Sequence, residues 1–138
     1  MSTMEITPDT FEPLDLVNLI SNTLCVVIKC SSTWCKPCQG KEFKENYRLL
    51  KEKYANASNI IKFIELDIEE FEDLINDKEY YDINVKTIPY FKLSYKGSWG
   101  KDFSGTSCIP EIDEALVKIA NKYYSEQERQ ENQEKQKK

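Results

Sequence analysis

The chain has 138 residues, 40% hydrophobic and 31% charged, with 24 acidic residues against 19 basic ones and no histidine. That length predicts one domain with a single core, and a net charge of −5 without a basic cluster among aromatics argues against a nucleic-acid binder. No run of about eighteen apolar residues predicts a membrane span, and an N-terminus with neither a basic nor an apolar stretch sets the expectation of a reducing, cytoplasmic compartment.

Residues 4–6 read as a short edge strand closed by Thr7-Pro8-Asp9. Phe11, Leu14, Val17, Leu19 and Ile20 then recur at helical spacing, which predicts a first helix over 11–21. The run 24–30 is nearly all apolar, as in a strand buried on both faces, and Lys29 is its one charge. From 38 to 54 a stripe of Phe43, Tyr47, Leu50 and Tyr54 marks a helix with one core-facing side. Residues 60–68 alternate as a strand, with Ile64 and Leu66 on one face and Phe63, Glu65 and Asp67 on the other. Phe71, Leu74 and Ile75 point to a third helix, and 76–82 either extends it or forms a loop.

Residues 88–95 and 98–104 read as a hairpin turned at Lys96-Gly97-Ser98. A last helix starts over 107–114, with Pro110 and three acidic side chains in its first turns, and buries Ile112, Ala115, Leu116, Ile119 and Tyr123. After Tyr124 every residue is polar, so 125–138 is set apart from the domain (1–124) as a helix extension or a disordered tail. Strands alternating with helices, then a terminal hairpin and helix, predict a three-layer α/β domain with a mixed central sheet.

The chemistry concentrates in Trp34-Cys35-Lys36-Pro37-Cys38, between a predicted strand and a predicted helix. Two cysteines at this spacing in such a place are a redox signature. The first thiol meets free N–H groups and the positive end of a helix, both of which favour the thiolate. The second lies one turn on, within reach of a mixed disulfide on the first. Lys36 adds a positive charge beside the nucleophile, and Pro37 suits the first turn. A zinc site would need a second cysteine or histidine pair, which the chain lacks, so no metal is expected. Five cysteines are an odd number for a purely structural disulfide framework. Cys25 and Cys30 point to opposite faces of one strand and read as small core residues.

That pentapeptide resembles the active site of the thioredoxin family when taken with Thr87-Ile88-Pro89-Tyr90 and Asp102-Phe103-Ser104-Gly105. The resemblance covers about residues 4–124 and implies a thioredoxin-like fold with thiol–disulfide oxidoreductase activity. Cys35 would attack a protein disulfide and Cys38 resolve the intermediate. No bound cofactor would be needed, and a thioredoxin reductase or another dithiol would supply electrons to a monomeric protein. Trp34, the cis Ile88–Pro89 bond and Ser104–Gly105 would hold the substrate chain. Cys108 would then lie in a loop near that surface.

Four positions depart from the family pattern. Lys36 stands where glycine is usual, and Tyr90 where threonine follows the proline. Phe43 replaces a kink-forming proline, so a straighter helix is expected. Lys29 falls where the family carries a buried aspartate that takes a proton as the second cysteine becomes a nucleophile. A buried ammonium must reach solvent, pair with a carboxylate such as Glu65, or lose its proton. Two rival readings remain open: an oxidase or isomerase favoured by the positive charge at Lys36, and a thioredoxin-fold interaction module without catalysis.

Overall fold

The apolar run around residue 27 becomes the centre of the sheet. The computed structural model describes residues 3–4, 13–71 and 87–136. In it, β2 (Cys25–Ser31) has β3 (Ile61–Asp67) parallel on one side and β4 (Tyr90–Tyr95) antiparallel on the other. β1 (Thr3–Met4) pairs parallel with β3, and β5 (Ser98–Ser104) pairs antiparallel with β4. The order is β1-β3-β2-β4-β5, a mixed sheet. A strand flanked on both edges and covered on both faces has no side for water, so residues 25–30 are all buried, Lys29 included.

Alternation along the strands divides the core in two. Cys25, Val27, Ile61, Phe63, Phe91 and Leu93 pack beneath α2 (Lys41–Lys53) and α3 (Ile109–Gln136), against Phe43, Tyr47, Leu50, Ile112 and Leu116. Val26, Ile28, Cys30, Ile64 and Leu66 face the other way, onto Leu16 and Ile20 of α1 (Pro13–Asn22). The three-layer α/β architecture follows. Tyr47 centres the α2 side, its ring 5.5 Å from Phe91 and 6.2 Å from Phe63 between centroids. Each such aromatic pair adds about 0.5–1.5 kcal/mol beyond its burial.

Local chemistry sets the turns. Lys96 and Gly97 join β4 to β5 with φ of 51° and 81°. Two positive φ values match the twist of a hairpin, and glycine takes the second without steric cost. The helix expected over 38–54 is interrupted. A 3-10 turn covers Pro37–Gln39, Gly40 takes an extended ψ of 133°, and α2 starts only at Lys41. The bend lies at Gly40, upstream of Phe43, which continues in regular helix. At the other end of the chain, α3 carries the polar segment on to Gln136 with its side chains from 127 to 134 exposed. Residues 5–6, most of the expected third helix and the connection at 76–82 lie outside the described residues.

Candidate active site

The dithiol loop leaves the carboxyl end of β2, the central strand. The Ile68 N–H donates to the Ser31 carbonyl (2.9 Å), tying that end to the segment after β3. Ser32 then gathers the loop. Its carbonyl accepts the Cys35 N–H at 3.4 Å and the Gln39 Nε2–H at 3.0 Å, which folds the 3-10 turn back over the strand end. Cys35 and Cys38 are joined as a disulfide with Cα atoms 5.2 Å apart. The Cys38 N–H lies 3.2 Å from Cys35 Sγ. A backbone donor aimed at that sulfur is the local feature that stabilises a thiolate when the pair is reduced. It is supplied by a short 3-10 turn, not by the first turn of the long helix.

Two distant segments close around this sulfur. Cys35 Sγ is 3.8 Å from the Ile88 carbonyl oxygen, and the Ile88–Pro89 bond is cis. The Gly105 N–H donates to the Pro89 carbonyl (2.9 Å), bringing the end of β5 alongside. Gly105 has φ of 89°, and a Cβ there would touch nothing within 4 Å, so glycine answers to backbone conformation alone. Ser104 pairs with Tyr90 across the hairpin. The Tyr90 hydroxyl donates to Asp102 (3.1 Å), which fixes the ring that stands after the proline. Trp34 is 61% exposed, Lys36 and Pro37 are exposed, and the two sulfurs' residues are nearly covered, at 4% and 2%.

Behind the loop, Lys29 is only 8% exposed. It stands directly beside Glu65 in the β2–β3 register, and its Nζ lies 3.2 Å from Glu65 Oε1. The ammonium also lies 4.8 Å from the centroid of Tyr47 and 5.2 Å from that of Phe43. Burial holds its pKa below the usual lysine value, and the attraction of Glu65 offsets only part of that. Of the three outcomes open to a buried lysine, pairing with a carboxylate is the one adopted. Glu65 Oε2 also faces Lys51 at 3.8 Å. Between these charges the buried Tyr47 hydroxyl has no hydrogen-bond partner, and burial pushes its pKa well up.

The remaining thiols are chemically quiet. Burial pushes Cys25 and Cys30 up to about 12, so both stay protonated at neutral pH. Cys108 was expected in a loop near the substrate surface. It lies in the loop just before α3 but is only 4% exposed, its thiol donates to the Gly105 carbonyl (3.1 Å), and burial raises it to about 11. The sequence carried no sign of that contact, nor of the Gln39 bridge to Ser32. Among the described residues no three metal-binding side chains converge.

The Thioredoxin family model matches residues 2–120 of the chain. Curated thioredoxins of Sus scrofa and Homo sapiens are each 35% identical over 82 residues, covering 59% of this chain and 68% of theirs. Among solved structures, thioredoxin from Trypanosoma brucei brucei superposes with a TM-score of 0.66 at 15% identity, covering 88% of this chain and 95% of that one. A mutant thioredoxin from Halobacterium salinarum gives 0.60 at 17% identity, covering 84% and 96%. At such identities the superpositions speak to the fold.

Proposed function

The chain belongs to the thioredoxin family and is a thiol–disulfide oxidoreductase of that type, and from that premise we propose that Cys35 attacks and Cys38 resolves. In the reduced protein the Cys35 thiolate attacks one sulfur of a substrate disulfide. A mixed disulfide forms and the first substrate thiolate leaves. Cys38, having lost its proton, then attacks Cys35 Sγ; the second substrate thiolate leaves and the Cys35–Cys38 disulfide closes. Two electrons have passed to the substrate, and a reductase or other dithiol returns them.

The observation that carries this assignment is the Cys38 N–H, 3.2 Å from Cys35 Sγ. It favours negative charge on Cys35, while the other three thiols are held protonated by burial. Trp34, Ile88, Pro89, Ser104 and Gly105 form the rim on which a substrate chain lies, with Lys36 and Pro37 at its edge. Lys29 acts on the pair through its charge, from behind the loop. The protein works as a cytoplasmic monomer, away from membranes and nucleic acids, with its active unit in 1–124 and a helical extension after it.

Replacing each cysteine tests the roles. Cys35→Ser abolishes dithiothreitol-driven reduction of insulin disulfides and leaves no rapidly alkylated thiol. Cys38→Ser retains the alkylation and accumulates mixed disulfides. Equal turnover in wild type and Cys35→Ser would remove Cys35 from the nucleophile's role.

A further inference from the structure

The face of α2 that meets the start of α3 is less completely covered than its core face. Its stripe of Phe43, Tyr47, Leu50 and Tyr54 is buried. The neighbouring stripe, Asn46, Leu49 and Lys53, lines a cleft of about 400 Å³ against Ile109, Pro110 and Asp113. Leu49 is left 48% exposed there. A second cleft of about 440 Å³ adjoins the first and shares Asn46 and Thr106 with it. This second cleft reaches Pro37, the first residue of the 3-10 turn that holds Cys38, and Gly40, which follows that turn.

The two clefts form one groove with different ends. The far end is shut by Lys53 and Tyr54, which both reach Asp113, at 2.9 Å and 2.6 Å. The near end opens beside the dithiol. Its walls there mix polar and apolar groups, with Thr106, Ser107, Lys41 and Glu42 beside Pro37, Gly40 and Phe43. The charged side chains lining the mouth are Lys41 and Glu42, one of each sign. The floor becomes apolar deeper in, at Leu49, Leu50 and Ile109. The 13 residues of α2 alongside span about 20 Å at 1.5 Å each, a length that an extended chain covers with about six residues.

We propose that this groove is an exosite for the disulfide-bearing protein itself. A segment next to the substrate's disulfide enters at Pro37, runs along α2 and sets an apolar side chain against Leu49. The occupant is a substrate because the groove's near end is lined by Pro37, which lies between the two cysteines in the chain, and by Thr106, which follows Gly105 of the rim. The proposal rests on the dithiol assignment above, and its consequence is a preference for protein disulfides over small ones.

Leu49→Asp and Asn46→Arg test it, since both positions are exposed and neither touches the dithiol. Reduction of insulin and of dithiobis-nitrobenzoic acid is measured for each, with dithiothreitol as donor. The expected result is a KM for insulin raised about fivefold or more with kcat kept, and unchanged reduction of the small disulfide. An unchanged insulin KM in both variants overturns the exosite. So does an equal loss on both disulfides, which would place the damage at the dithiol. Failure of the wild type to reduce either disulfide would instead sink the functional reading on which the exosite rests.

Discussion

The two faces of β2 are equally buried but carry different side chains. Toward α1 the strand presents Val26, Ile28 and Cys30, which pack in an apolar cluster beside the buried Ser94 and Lys92 of β4. Toward α2 it presents Cys25, Val27 and then Lys29, whose ammonium is held between Glu65 and two aromatic rings. Both faces exclude water. Of β2's own side chains only Lys29 is charged, and it lies near the end of the strand from which the dithiol loop departs. A charge in that position is costly unless paired, and it is also poorly screened, so its field reaches neighbouring groups. The difference teaches that a strand buried on both faces accommodates a charge where a neighbouring strand supplies a carboxylate and a helix supplies aromatic rings.

The largest effect expected from this contrast is on the apolar face. Ile28→Ala should cost about 2–5 kcal/mol in urea unfolding, because Ile28 is fully buried and its cavity cannot collapse. On the other face Glu65→Gln should cost about 1–2 kcal/mol, less than a fully buried pair because the Glu65 side chain is 40% exposed. Lys29→Met should be close to neutral in stability, since an apolar chain of similar length fits between Phe43 and Tyr47. Its signature is instead a lower redox potential, by about 10–30 mV, as loss of the cation disfavours the thiolate form. A Lys29→Met protein with the wild-type potential would reduce Lys29 to a packing role.

Alkaline pH sharpens the comparison further. Cys25 and Cys30 lie on opposite faces and both rise from 9.0 to about 12 on burial. A thiol held protonated in the fold but free to ionise in the unfolded chain contributes stability that is complete below pH 9 and is lost as pH rises through about 12. Stability should therefore fall over that interval. Cys30→Ala should flatten the slope without touching the active site, which a pH series of thermal midpoints will show; an unchanged slope would mean that Cys30 ionises alike in both states. The smallest effect is expected at the far end of α3. Removing residues 127–138 should change stability by less than about 0.5 kcal/mol, because the described side chains there are exposed. A large drop in thermal midpoint would reveal packing by this segment.

Much of this molecule was written in local pattern. Strand 24–30, the helical stripe from Phe43 to Tyr54, the Lys96–Gly97 turn and the cysteine pair each depend on residues close in sequence, where periodicity and φ preference act directly. The opposite orientation of Cys25 and Cys30 followed from strand geometry, and the structure places them in separate clusters. Even Glu65 as the partner of Lys29 could be named, because the two strands are neighbours and their side chains share a face.

What tertiary structure decided was burial and aim. Whether Lys29 reached water or stayed inside depended on Phe43 and Tyr47 arriving from α2. The bend at Gly40 depended on the closure of the dithiol loop onto Ser32, which no helical pattern records. Cys108 was drawn inward by the Gly105 carbonyl and the start of α3. Residue type and spacing set which chemistry is present and which elements carry it. Solvent exclusion and the angle of each contact arise only when segments far apart in sequence pack together, and those two quantities set the charge state of every buried group here.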